Sequence, residues 1–164
     1  MTLLEKETTP QNPYNYISDN EKTWYSFVTK NGVHYEVTFL KSPALFHQYP
    51  DIGGLIYEMS ILTAYENPPL DHSVQLTVIE ISKDFFNNNR NVLLFVCDSL
   101  DDCHLKRKNK FNRWFNNSDI GDDYEKHDGC INESGIEIHN TIILKKDFEL
   151  KKNILEAFFE INHN

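Results

Sequence analysis

The chain's amino-acid order predicts an α+β domain: an antiparallel strand meander, then helix, strand, helix, strand and helix, with the helices packed on a mixed sheet. Three observations carry that prediction. Two runs of period-two alternation flank Asn31-Gly32, a continuous apolar run fills 91–97, and three later segments repeat apolar residues at helical spacing. Strands first and alternating elements afterwards are the order of an α+β fold with one or two helical crossovers. The 164 residues, 40% hydrophobic and 13% aromatic, suffice for one core. We expect a single domain over 14–164, preceded by a flexible arm at 1–13 that carries two prolines and few apolar groups.

The elements follow in order. From Thr23 to Phe39 the chain reads TWYSFVTKNGVHYEVTF, with Trp24, Ser26 and Val28 alternating with Tyr25, Phe27 and Thr29, and with Val33, Tyr35, Val37 and Phe39 on one face. Asn31-Gly32 predicts a tight hairpin turn whose two central residues both take positive φ. Beyond Pro43 and Pro50, the run LIYEMSILTA at 55–64 reads as a third strand, stopped by Asn67-Pro68-Pro69. Asp71 is placed to cap a helix whose Val74, Val78, Ile81 and Phe85 step by four, three and four, and which ends in the asparagine tract. The apolar run 91–97 suits a strand covered on both faces, and a helix over about 102–116 follows it. Between 118 and 135 the chain is acidic and rich in turn residues, so a loop is expected there. A last strand spans 136–144, and Asp147 is expected to cap a closing helix that aligns Leu150, Ile154, Phe158 and Ile161.

Composition narrows the function classes. A formal charge of −9 repels phosphate backbones, which disfavours nucleic acid as a partner except through a local basic patch. The start MTLLEKETTP lacks a cationic leader and an apolar run, and no segment approaches the roughly 20 apolar residues of a membrane helix. No membrane association and a cytoplasmic location are expected. Cys97, Cys103 and Cys130 are odd in number and suit a reducing compartment rather than a disulfide framework.

Four constellations carry chemistry, each beside an ordinary structural explanation. Lys106, Arg107, Lys108, Lys110 and Arg113 alternate with Phe111, Trp114 and Phe115 on one helix. Such a face can neutralise phosphates and stack bases, whereas a helix that buries its aromatic stripe simply leaves the cations in solvent. The neighbouring Asp119, Asp122, Asp123, Glu125 and Asp128 are placed to screen those cations by folding back. Asp98, Ser99, Asp101 and Asp102 end the buried strand, where carboxylates can hold a hard cation or cap the next helix; capping is the expectation. Cys97, Cys103, His104, His127 and Cys130 form a thiol and imidazole set, but only His127 and Cys130 have the spacing of a zinc pair, so no metal is expected. The order of elements is also similar to that of acyl-coenzyme A transferases, which place the cofactor pyrophosphate on free N–H groups after the meander. Here that turn is Glu66-Asn67-Pro68-Pro69-Leu70-Asp71, with two donors missing and two carboxylates present, and no cofactor is expected.

The blocks TWYSFVTKNGVHYEVTF and LLFVCDSLDDCHLKRKNKFNRWF together resemble a family of small, functionally uncharacterised Bacteroidetes proteins, with an aromatic hairpin ahead of a C-D-S-x-D segment and a basic stretch closing in F-x-x-W-F. Thr29, Asn31, Gly32, Cys97, Asp98, Ser99, Asp101, Arg107, Phe111, Arg113, Trp114 and Phe115 carry the match. The resemblance implies a bacterial, cytosolic single domain and supplies no activity. The residues therefore point to a non-enzymatic binding or regulatory module that meets a protein partner through the charged 98–128 surface. Its contact residues are Asp98, Ser99, Asp101, Lys106, Arg107, Lys110, Arg113 and Trp114, with no catalytic set. The alternatives are a degenerate acyl-coenzyme A N-acyltransferase and a nucleic-acid-binding protein working through 104–115.

Overall fold

The structure is a computed structural model that describes residues 11–41, 44–88, 92–98 and 104–162, except for the side chains of Asn88, Asp98 and His104. The described residues form seven strands and four α-helices, in the order β1 (Tyr16–Ser18), β2 (Trp24–Val28), β3 (His34–Lys41), α1 (Pro50–Gly53), β4 (Ile56–Thr63), α2 (His72–Asn88), β5 (Val92–Asp98), α3 (His104–Asn116), β6 (Tyr124–Glu133), β7 (Ile136–Lys145) and α4 (Lys151–Asn162). They build one mixed sheet in the order β1-β2-β3-β4-β5-β7-β6, with β4 and β5 parallel and every other neighbouring pair antiparallel. The predicted α+β class holds.

Both faces of the sheet carry a core. On one face α2 and α3 bury Val78, Ile81, Phe85, Phe111 and Trp114 against Tyr25, Val37, Phe39, Tyr57, Met59, Leu93 and Ile143. On the other, α4 and α1 bury Ile52, Ile154, Ala157 and Phe158 against Ile56, Val92, Leu94, Ile142 and Leu144. Successive strand residues point to opposite faces, so the neighbours Leu93 and Leu94 serve different cores. This is why 91–97 reads as unbroken apolar sequence.

Several expectations require correction. The hairpin forms, but Gly32 (φ 76°) has positive φ and Asn31 does not. Gly32 N–H donates to the Thr29 carbonyl at 2.9 Å, and Thr29 N–H to that of Val33 at 2.9 Å, a longer loop with one left-handed glycine in place of a two-residue turn. β1 lies ahead of the expected first strand. The expected acidic loop is mostly β6, a ten-residue edge strand paired with β7 along its length. Asp147 does not cap α4, which begins at Lys151, and its carboxylate sits 3.9 Å from Lys145 in the connecting turn.

Two side-chain anchors fix the outer elements. Asp71 accepts the Ser73 N–H at 2.9 Å and thereby caps α2, as expected. Tyr14 donates its N–H to Thr77 Oγ1 at 2.8 Å and its hydroxyl to Asp71, tying the entering chain to the same helix start. At the other end of the fold Asn162 exchanges two amide hydrogen bonds with Asn140, at 2.8 and 3.0 Å. Gly129 makes room for that contact, because a Cβ there would fall 2.2 Å from the Asn162 amide.

Candidate functional site

The parallel pair is where the sheet opens. β4 pairs with β5 only at Ile56–Glu58 against Val92–Leu94, although β4 continues to Thr63 and β5 to Asp98. Beyond Glu58 the two strands part, and β5 stays with β7 while β4 stays with β3. A cavity of about 410 Å³ occupies this fork, lined by 58–63 of β4, by Phe95 and Val96 of β5, and by Arg107, Lys110, Phe111 and Trp114 of α3. Met59 and Ile61 point toward α3, while Glu58, Ser60 and Leu62 point to the opposite face. All five line the space, which therefore follows the open edge of β4. A second cavity of about 400 Å³ adjoins it, sharing Tyr35, Val74, Lys110 and Trp114 and extending to Asp71 and His72 at the start of α2 and to Arg113 of α3. Together they make a largely apolar groove with charged residues of both signs in its lining, within the size range of small-molecule sites.

The basic helix supplies one wall. Phe111 stacks on Phe95 with ring centroids 4.4 Å apart, and Trp114 is 9% exposed, so the aromatic stripe is core, as helical spacing allows. No ring of this stripe stands free to stack a base. Lys110 lies over the Trp114 ring, 5.0 Å from its centroid. Burial at this ring and repulsion from Arg113 lower the Lys110 ammonium below the usual lysine range, although the residue remains exposed.

The acidic segment pairs mostly with lysines outside α3, although Lys108 of α3 is near enough to Asp128 to help lower its carboxyl. Asp119 pairs with Lys83 of α2 at 2.6 Å, and that bond holds its carboxyl below the usual range. Glu125 pairs with Lys151 of α4 at 3.3 Å and with His127 at 3.1 Å. Burial raises the Asp128 carboxyl, but hydrogen bonds from Lys126 at 2.7 Å and Thr141 at 2.6 Å outweigh it and leave it lowered. Among the described residues no carboxylate forms an ion pair with Lys106, Lys110 or Arg113. Arg107 has contacts of its own.

Of the expected contact residues, Arg107, Lys110 and Trp114 line the fork and Arg113 the adjoining groove, whereas Lys106 is exposed away from both. Ser99 and Asp101 lie outside the described residues, as do Asp102 and Cys103 and the side chains of Asp98 and His104. His127 and Cys130 cannot form the zinc pair their spacing suggests, since residues three apart on a strand point to opposite faces. His127 packs on Phe159 of α4, while Cys130 aligns with His139 and Cys97 across β6, β7 and β5. Cys130 Sγ lies 3.9 Å from His139 Nε2, a neighbour that spacing in sequence could not reveal. Burial and Glu137 raise the Cys130 thiol, which opposes use as a nucleophile. Among the described residues no group of three or more His, Cys, Asp or Glu side chains could hold a metal ion, and no helix is long and apolar enough to cross a membrane.

Glu58 was also missed, because in LIYEMSILTA it reads as an ordinary outward strand position. It stands at the apex of the fork, and burial raises its carboxyl above the usual glutamate range. Its charge therefore opposes folding once it ionises: the contribution is favourable below the ordinary glutamate range and is lost as pH rises through the raised value. Glu58→Gln should raise the melting temperature at pH 7 and lose that advantage at about pH 4 and below. A Glu58→Gln protein that melts lower than the parent at pH 7 would mean the carboxylate is held by a partner in the fold.

A family model described as "Family of unknown function (DUF6169)" matches residues 70–160, from the cap of α2 through most of α4. No curated protein matches the chain. Among solved structures, a crystal structure provisionally named as a phosphinothricin N-acetyltransferase is similar at 13% identity and a TM-score of 0.44, covering 77% of this chain and 73% of that one. Likeness at that level supports no inference about activity here.

Proposed function

The chain belongs to this family of unknown function, and from that premise we propose that the protein is a non-enzymatic binding module, a single domain over 14–164, that docks an acidic protein partner on the basic edge of α3. The observation that carries this reading is the placement of charge. The nearby acids are neutralised by Lys83, Lys126 and Lys151, and among the described residues no carboxylate forms an ion pair with Lys106, Lys110 or Arg113 of α3. In a protein of charge −9 this local contrast would orient an acidic surface toward α3 and raise its association rate.

The fork favours a second reading, an acyl-coenzyme A-dependent transferase, because a gap between parallel strands could admit an extended acyl carrier. The start of α2 weighs against it. Asp71 already fills the helix N-terminus with its own carboxylate, and Pro68 and Pro69 offer no N–H groups to a pyrophosphate. A pull-down from native lysate with the parent and a Lys106→Glu, Arg107→Glu, Lys110→Glu variant tests the first reading. The variant should lose the acidic partner that the parent retains. Recovery of the same material by both rejects the surface, and a rise in melting temperature with acetyl-coenzyme A would favour the transferase.

A further inference from the structure

The fork and the groove beside it carry three kinds of chemical surface. Glu58 stands at its apex on the sheet face away from α3, with no hydrogen-bond or ion-pair partner among the described residues. Met59, Ile61, Phe95 and Phe111 make the middle apolar. Lys110, which lines both cavities, and Arg113 in the adjoining groove supply cations from α3, with Arg107 also in the fork wall. A carboxylate, an apolar channel and a pair of cations match a ligand with an ammonium at one end, a carboxylate at the other and an apolar body between.

The strand edges add a fourth requirement. Past Glu58, no described strand pairs with the β5-facing edge of β4, and past Leu94 the β4-facing edge of β5 is likewise unpaired. Backbone N–H and C=O groups along such edges need partners, and an extended peptide supplies them in alternation, as in strand addition. A simple amphiphile would leave them unmet. We propose that the fork binds a short zwitterionic peptide with apolar side chains, its ammonium on Glu58, its backbone between β4 and β5, and its carboxylate on Lys110 and Arg113.

This site shares Lys110 with the outward docking edge but also needs Glu58 and the open strand edges, which that edge does not. Lys106 belongs to that edge and does not line the fork, so failure of the protein-partner reading would leave the peptide site standing.

The probe is the dipeptide L-leucyl-L-phenylalanine, compared with its N-acetyl and C-terminal amide derivatives. Trp114 lines the fork and the chain has two tryptophans, so a Trp24→Phe background makes Trp114 the sole indole reporter. Titration should give a saturable fluorescence change with Kd of about 1 mM or tighter, and each blocked derivative should bind about tenfold more weakly. Glu58→Gln should abolish the preference for the free amine over the acetylated form. Lys110→Gln with Arg113→Gln should abolish the preference for the free acid over the amide, while Lys106→Glu should change neither. Circular dichroism melts establish that each variant is folded. Equal binding of all three ligands, or no saturable change up to about 10 mM in folded protein, overturns the proposal.

Discussion

Phe85→Ala should destabilise the protein by about 3–5 kcal/mol, the largest loss expected from a single truncation on the α2 face. The Phe85 ring is fully buried, stacks on Phe39 with centroids 4.0 Å apart, meets Tyr57 edge-on at 5.1 Å and touches Phe86 at 5.6 Å. Three of these rings are held by β3, β4 and α2 and cannot collapse together to fill the void. For a chain of this size the loss corresponds to a melting temperature lower by roughly 6–20 °C. Urea denaturation gives the same number independently. A cost below about 1 kcal/mol would mean that the stacked cluster is not formed.

Trp114→Ala should cost a similar amount, about 3–5 kcal/mol, and should also change the groove. Trp114 closes the core between α2 and α3 on one side and walls both cavities on the other, with Lys110 resting on its ring. Trp114→Phe keeps an apolar ring there and should cost clearly less. The pair of variants separates packing from recognition: Trp114→Phe should fold well yet bind the dipeptide more weakly, because the wall recedes. If Trp114→Ala melts within about 1 kcal/mol of the parent, the indole is a surface group and the inward assignment of the α3 stripe fails.

The legible parts of this fold were those where one period dominates. Val74, Val78, Ile81 and Phe85 gave α2, the run from Val92 to Cys97 gave β5, and Asp71 gave its cap, because each residue there has a single job set by burial or an N-terminus. β6 was illegible for the opposite reason. An edge strand meets solvent along one border, so Glu125, Lys126, Asp128 and Asn132 satisfy pairing needs while looking like a loop. The false Asp147 cap arose because a good capping residue also suits a turn, and the turn took it.

At the groove, local sequence identified the cations and their aromatic stripe but not what faces them. Lys110 and Trp114 sit side by side one helical turn apart, which spacing reveals. Glu58 reaches the same cavity only because β4 and β5 run parallel and then separate, a relation between segments 36 residues apart, as in the pairing of Glu58 with Leu94. His139 likewise meets Cys130 through β7 pairing with β6, which no local pattern encodes.

The two outermost strands have a bearing on solubility at high concentration. β1 offers only three residues to a newcomer, and β6 presents mixed charges with Gly129 in its midst. A second copy therefore finds at one rim too little length, and at the other too little β-forming, uncharged sequence, to continue the ladder. The sheet is in this way bounded against edge-on polymerisation, even though Ile17, Val28, Leu40 and Leu62 stay exposed on β1 to β4.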